Sequence, residues 1–274
     1  AAVTSVKPGD FVVGSFCASC GECEICQAGY PSRCQRAIEA GEAYVRGAQA
    51  EYLRVPFADG TLVATPSKPE PEIIPDLLAA SDVLGTGWFA ADAAGAAAGK
   101  TIAVVGDGAV GLGAVIGATQ LGAERVIAMS RHEERAKLAR EFGATDVVAE
   151  RGEEGAAKVK ELTGGYGAHG TAEAVGTEQA MQQALASTRY GGYVGFVGVP
   201  HGGTISVDQL FGKEVHLFGG PAPVRRYLPQ LIKLIFERKI HPGKVFDLVL
   251  PIEQAAEGYA AMDQRRATKV MLTF

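Results

Sequence analysis

The sequence predicts an α/β protein in which a doubly wound parallel sheet is joined to an irregular region of short β segments, and three observations carry that expectation. Residues 101–197 alternate short β-branched strands with helical segments. A glycine-rich turn stands where the first of those strands gives way to a helix. Residues 1–100 read differently, being rich in Pro and Gly and holding four of the chain's five cysteines within residues 20–34.

The alternation opens with TIAVV at residues 101–105, apolar and β-branched as a strand buried on both faces requires. A helix follows at 109–121, then a strand at 125–129 and a helix at 131–142 for which Ser130 is the N-cap candidate. A third strand at 146–148, a helix at 153–163, a strand at 171–175, a helix at 178–189 and a strand at 193–197 continue the pattern. After Gly220 come two amphipathic helices, residues 224–238 and 252–263, and a closing strand at 269–274. Before the alternation, AEYLRVP at residues 50–56 alternates like a strand, and residues 90–99 form an alanine-rich helix and turn. Residues 102–123 carry one charge, Asp107, over a length that could suggest a membrane span. Glycines at 106, 108, 111, 113 and 117 argue for a buried strand-turn-helix unit instead.

That unit contains Gly106, Asp107, Gly108, Ala109, Val110 and Gly111, the GxGxxG pattern, directly after a strand and at the mouth of a helix. Gly106 permits the tight turn, Gly108 lets backbone approach a pyrophosphate, and Gly111 lets the helix lie close on the sheet. In a chain with 36 glycines a lone match would be weak, so its position is what gives it weight. The end of the second strand then bears on which dinucleotide binds, because an acidic side chain there accepts from the ribose hydroxyls of NAD. Here the residues are Met129, Ser130, Arg131 and His132, with no carboxylate before Glu133. Ser130 and Arg131 are donors for a 2′-phosphate, and Arg135 lies one turn further along. NADP is therefore favoured, with NAD the alternative; the competing reading makes Arg131 and Arg135 a solvated face paired with nearby acids.

Cys20, Cys23, Cys26 and Cys34 have gaps of two, two and seven residues. Such spacing lets consecutive thiolates curl round one zinc while a longer loop returns the fourth. Disulfides are the weaker reading in a chain of this length with no cysteine beyond this region. Cys17 stands just outside the pattern, as a buried small hydrophobe or a competing ligand. A formal charge of −5 argues against a nucleic-acid groove, hence against a DNA-binding finger. The opening AAVTSVKPGDFVV has no secretory signal pattern, and with its thiols the chain is expected in the cytoplasm, without membrane or nucleic-acid partners.

Together, CGECEICQAGYPSRC at 20–34, GDGAVGLGAV at 106–115 and the ending KVMLTF resemble the zinc-containing medium-chain alcohol dehydrogenases over nearly the whole chain. The resemblance implies a GroES-like β domain at residues 1–82 with a zinc lobe at 17–34, a Rossmann domain at 83–219, and a segment 220–274 returning to the first domain. It implies that Cys20, Cys23, Cys26 and Cys34 hold structural zinc. It also implies that Asp82, in SDVLGTGW, is the third ligand of a catalytic zinc, with Thr86 beside the nicotinamide. Without the resemblance Asp82 reads as an ordinary helix cap. Val175 and Gly176, with Val197, Gly198 and Val199, match segments touching ribose and nicotinamide. Lys269 matches a basic contact to pyrophosphate, and the family's assembly as dimers or tetramers implies a homo-oligomer.

Two departures temper that transfer. Relatives carry about sixty further residues before the point where this sequence begins to match, at PGD of residues 8–10, and those residues hold the other catalytic zinc ligands. The chain is thus expected to start inside the GroES-like domain. His169 and Gly170 replace an aspartate and an aliphatic residue, and His169 reads as a polar strand-end residue. The expected activity is NADP-linked hydride transfer between an alcohol and its aldehyde or ketone. The alternative is an NADP- and zinc-binding fragment without catalysis. A zinc-free enone or quinone reductase ranks last, since such relatives generally lack the cysteine lobe.

Overall fold

The computed structural model describes residues 3–274. In the first part of the chain, short segments broken by Pro and Gly form β1 (Val12–Gly14), α1 (Glu24–Gln27), α2 (Gln35–Glu39), α3 (Ala58–Thr61) and β2 (Leu62–Ala64). β1 and β2 pair antiparallel, with Val13 opposite Val63. The Ser19 hydroxyl donates to the Gly60 carbonyl at 2.5 Å and the Ser19 N–H donates to Thr61 Oγ1 at 3.1 Å. These buried bonds fasten the start of the cysteine segment to α3, so closely that a Cβ on Gly60 would lie 2.1 Å from the Ser19 carbonyl oxygen. Residues 50–56 form no strand, contrary to their alternation. No described strand pairs with the segment, and Tyr52 is left 90% exposed.

Two helices follow, α4 (Ile74–Ala80) and α5 (Val83–Ala93). The chain divides within α5 into two compact units, one of Ala1–Gly85 with Pro223–Phe274 and a second of Thr86–Ala222.

The second unit is the alternating region. Its elements are β3 (Thr101–Val105), α6 (Ala109–Gln120), β4 (Arg125–Met129), α7 (Glu133–Glu141), β5 (Asp146–Val148), α8 (Gly152–Leu162), β6 (Ala168–Glu173), α9 (Glu178–Ser187), β7 (Thr188–Phe196), α10 (Val207–Lys213) and β8 (His216–Gly219). Among the described residues the strands make a six-stranded sheet, every pair parallel, in the order β5-β4-β3-β6-β7-β8. This is the doubly wound Rossmann arrangement, with its order reversing beside β3. Ala103, Val105, Ile127, Met129, Val148 and Val194 are buried in one cluster with Ala184 and Leu185 of α9. Backbone approaches backbone elsewhere: a Cβ on Gly117 of α6 would lie 2.8 Å from Trp88 Cα of α5, and one on Gly195 of β7 would lie 2.2 Å from the Ala90 carbonyl. α7 begins at Glu133 with His132 at its N-cap, so Ser130 does not cap it. Its hydroxyl is engaged elsewhere, as described below. His169 lies in β6, where its Nδ1 accepts the Thr101 N–H at 3.1 Å, and burial lowers its pKa.

The chain then returns to the first unit through α11 (Val224–Phe236), β9 (Phe246–Pro251), α12 (Ala255–Asp263) and β10 (Lys269–Thr273), with β9 and β10 paired parallel. Buried Asp76 of α4 accepts the Gly243 N–H at 2.6 Å, binding this returning segment to α4. No helix among the described residues is long and apolar enough to cross a membrane.

Candidate dinucleotide and metal sites

β3 ends at Val105 and α6 begins at Ala109, leaving Gly106, Asp107 and Gly108 to make the turn. Gly106 has φ of +117°, a conformation that L side chains rarely adopt. A Cβ on Gly111 would lie 1.9 Å from the Gly106 carbonyl oxygen, so the first turn of α6 can sit on the loop only with glycine there. Gly108 is different, because a Cβ there would meet nothing within 4 Å. Its bare backbone, at the N-cap of a twelve-residue helix with half-buried Val110 in the first turn, faces open space. Free backbone N–H groups at a helix N-terminus, at the carboxyl edge of the sheet and beside its switch point, fit a pyrophosphate.

At the end of β4, Ser130 is buried and its hydroxyl donates to Asp107 Oδ2 at 2.8 Å. Arg135 Nη1 donates to Asp107 Oδ1 at 3.2 Å, while Arg131 is exposed. Asp107, an unspecified position of the glycine pattern, was not expected to reach this place. The signal was a charge between two loop glycines, in a turn where an apolar side chain would have served.

β6 ends in a carboxyl that the sequence reading also missed. Glu173 is fully buried, and its Oε1 accepts the N–H groups of Val175 and Gly176, each at 2.8 Å. Burial raises its pKa, and Oε2 has no hydrogen-bond partner among the described residues. The Glu173 carbonyl accepts from Val197 at 2.9 Å and Gly198 at 3.3 Å. Gly176 has φ of +88°, and a Cβ on it would lie 2.0 Å from the Val199 carbonyl oxygen. Val175, Gly176, Val197, Gly198 and Val199 are thus brought together at the carboxyl edge of the sheet, with Val175 and Val199 exposed.

In the first unit, the sulfurs of Cys20, Cys23, Cys26 and Cys34 all lie within 4.8 Å of one another, and all four cysteines are free. Cys23 Sγ is 3.5 Å from Cys26 Sγ and 3.9 Å from Cys34 Sγ. Those spacings are far longer than a disulfide and bracket the separation of about 3.8 Å between sulfurs on a tetrahedral zinc. Backbone N–H groups point at the sulfurs: Glu22 and Cys23 donate to Cys20 Sγ, and Cys20 and Ala37 donate to Cys34 Sγ. Such bonds favour thiolates. The Cys26 backbone N–H leads the causes that bring the Cys23 thiol down to about 6, while burial pushes Cys26 up. The donor set fits a structural zinc, with all four positions filled by protein.

The family model described as zinc-binding dehydrogenase matches residues 109–237, and that of the alcohol dehydrogenase GroES-like domain matches residues 1–67. The zinc-type alcohol dehydrogenase-like protein AdhB of Bacillus subtilis is 34% identical over 96% of this chain and 78% of its own length. The chain belongs to the zinc-type medium-chain alcohol dehydrogenase family. Zinc-type alcohol dehydrogenase B of Aspergillus flavus is 34% identical over 98% of this chain, which spans 64% of that relative's length. The solved alcohol dehydrogenase TADH from Thermus sp. ATN1 superposes with a TM-score of 0.86 at 31% identity, covering 98% of this chain and 80% of that one.

The remaining residues expected from this zinc-type family form no second metal cluster among the described residues. Asp82 is exposed in the first unit, between α4 and α5, and its charge reaches Cys17. Burial, foremost, pushes the Cys17 thiol up to about 12, and Cys17 stands outside the four-sulfur group, as a small buried hydrophobe does. Among the described residues the four cysteines are the one group of three or more candidate ligands found, so Asp82 alone does not fit a catalytic zinc, which takes three protein ligands. Thr86 is buried in α5 of the second unit, and Lys269 opens β10 in the first.

Proposed function

We propose that this chain carries out NADP-linked hydride transfer between a primary or secondary alcohol and its aldehyde or ketone. The observation that carries the reading is the glycine turn at the carboxyl end of β3, with Ser130, Arg131 and Arg135 at the neighbouring end of β4. A nicotinamide dinucleotide held there would supply the hydride chemistry. The chain's residues would bind and orient it: Gly108 and the α6 N-terminus would take the pyrophosphate, and exposed Arg131, next to Ser130, would face the 2′-phosphate. Val175, Gly176, Val197, Gly198 and Val199 would line ribose and nicotinamide, and Thr86 of α5 would serve beside them. Glu173 stiffens that edge by holding the Val175 and Gly176 N–H groups. Asp82 is one carboxylate where a catalytic zinc takes three protein ligands, so it does not hold that ion alone and no step is assigned to it.

The second reading, a cofactor- and zinc-binding polypeptide without turnover, is favoured by the four cysteines being the one candidate metal cluster among the described residues. Zinc content and NADPH formation from a small primary alcohol, measured on one preparation, separate the two. Two zincs per chain with turnover support the dehydrogenase; one zinc, tight NADP binding and no turnover support the second reading.

A further inference from the structure

At the end of β4, where sites that read the ribose hydroxyls of NAD place an acidic side chain, this chain has a serine. A carboxylate nevertheless reaches that place from the glycine turn. Asp107 Oδ2 lies 2.8 Å from Ser130 Oγ, and Oδ1 lies 3.2 Å from Arg135 Nη1. The ion pair is largely withdrawn from water, its side chains 16% and 13% exposed for Arg135 and Asp107. The two donors that a 2′-phosphate would recruit from Ser130 and Arg135 are therefore already taken by a fixed negative charge. Of the three candidates, Arg131 alone is exposed.

We propose that Asp107 is the specificity-determining residue of the dinucleotide site: it supplies from the first turn the carboxylate that accepts the ribose hydroxyls of NAD. By holding Ser130 and Arg135, and by repelling a 2′-phosphate, it limits the advantage of NADP. The inference rests on the glycine turn being a dinucleotide site. A purely structural ion pair is the competing role for Asp107, and it affects both nucleotides alike. The turn itself is set by Gly106 and Gly111, so the Asp107 side chain is replaceable without remaking the loop.

The experiment is calorimetric titration of the full chain with adenosine 5′-monophosphate and with adenosine 2′,5′-bisphosphate, which differ only in the 2′-phosphate. It is run on the unaltered chain, Asp107→Asn and Asp107→Ala, with a thermal melt of each. The ratio of the two dissociation constants is expected to shift toward the bisphosphate by about tenfold or more in both variants, the size of a hydrogen bond to a charged group made available to the ligand. A ratio unchanged while both nucleotides bind, or equal weakening of both, overturns the role of Asp107 and leaves the dinucleotide site standing. Failure of the unaltered, folded chain to bind either nucleotide overturns the site reading, and this inference with it.

Discussion

Gly111 meets the carbonyl of Gly106 so closely that a β-carbon on Gly111 would lie 1.9 Å from that oxygen. Gly111→Ala is therefore expected to force the loop and α6 apart, costing about 3 kcal/mol of stability, as an overpacked site does. Gly108→Ala adds its methyl to open space, so its melting temperature should stay near that of the unaltered chain while dinucleotide binding falls. Thermal melts and NADPH titration of both variants check the contrast. Equal losses in the two would contradict it.

The four-sulfur lobe makes a second prediction. Cys23→Ser and Cys26→Ser are each expected to lower zinc content toward zero and to loosen residues 17–39, since three sulfurs and a hydroxyl close the tetrahedron poorly. Elemental analysis and hydrogen exchange over that segment read the two effects together. Zinc content unchanged in both variants would count against the lobe as the site.

Arg125 fixes the edge of the sheet, donating to Asp146 through Nε at 2.7 Å and Nη2 at 2.9 Å and through Nη1 to the Leu162 carbonyl. The guanidinium hydrogen bonds hold the Asp146 carboxyl below its usual range. A depressed carboxylate pKa contributes stability that is fully present above the ordinary Asp value of about 3.9 and is lost as pH falls through the lower folded value. Arg125→Met should thus cost about 1 kcal/mol or less at neutral pH, the pair being partly solvated. The gap between the two chains in urea unfolding should narrow as pH drops below that ordinary value. A gap constant with pH would contradict the assignment.

Ser130→Asp is expected to turn the cofactor preference toward NAD, because a second carboxylate beside Asp107 repels a 2′-phosphate and accepts from ribose. Competition between the two dinucleotides for the variant measures it. NADP retained as the tighter ligand would be the contrary result.

Much of the Rossmann unit could be read from the residues because its strands are buried on both faces and its turns are marked by glycine. The bounds expected for β3, β4 and β5 coincide with the observed Thr101–Val105, Arg125–Met129 and Asp146–Val148. Edge strand β8, four residues alternately exposed and half-buried, is too short to give an apolar run to find. Residues 50–56 alternated without a partner to pair with, since β pairing is long-range and a local pattern cannot supply it. The cysteine lobe could be read from spacing, as ligand geometry is nearly local there. Asp107 and Glu173 were missed because their roles arise only when separate strand ends are brought side by side, Asp107 with Ser130 and Glu173 with the turn at Gly176.

The most direct measurement is a fluorescence titration of the zinc-loaded 274-residue chain with NADPH and, separately, with NADH. Saturable binding of both is expected, with NADPH tighter by on the order of 1 kcal/mol, small because Asp107 already holds Ser130 and Arg135. Binding of neither dinucleotide by a folded chain, or NADH bound as tightly as NADPH or tighter, would contradict the account.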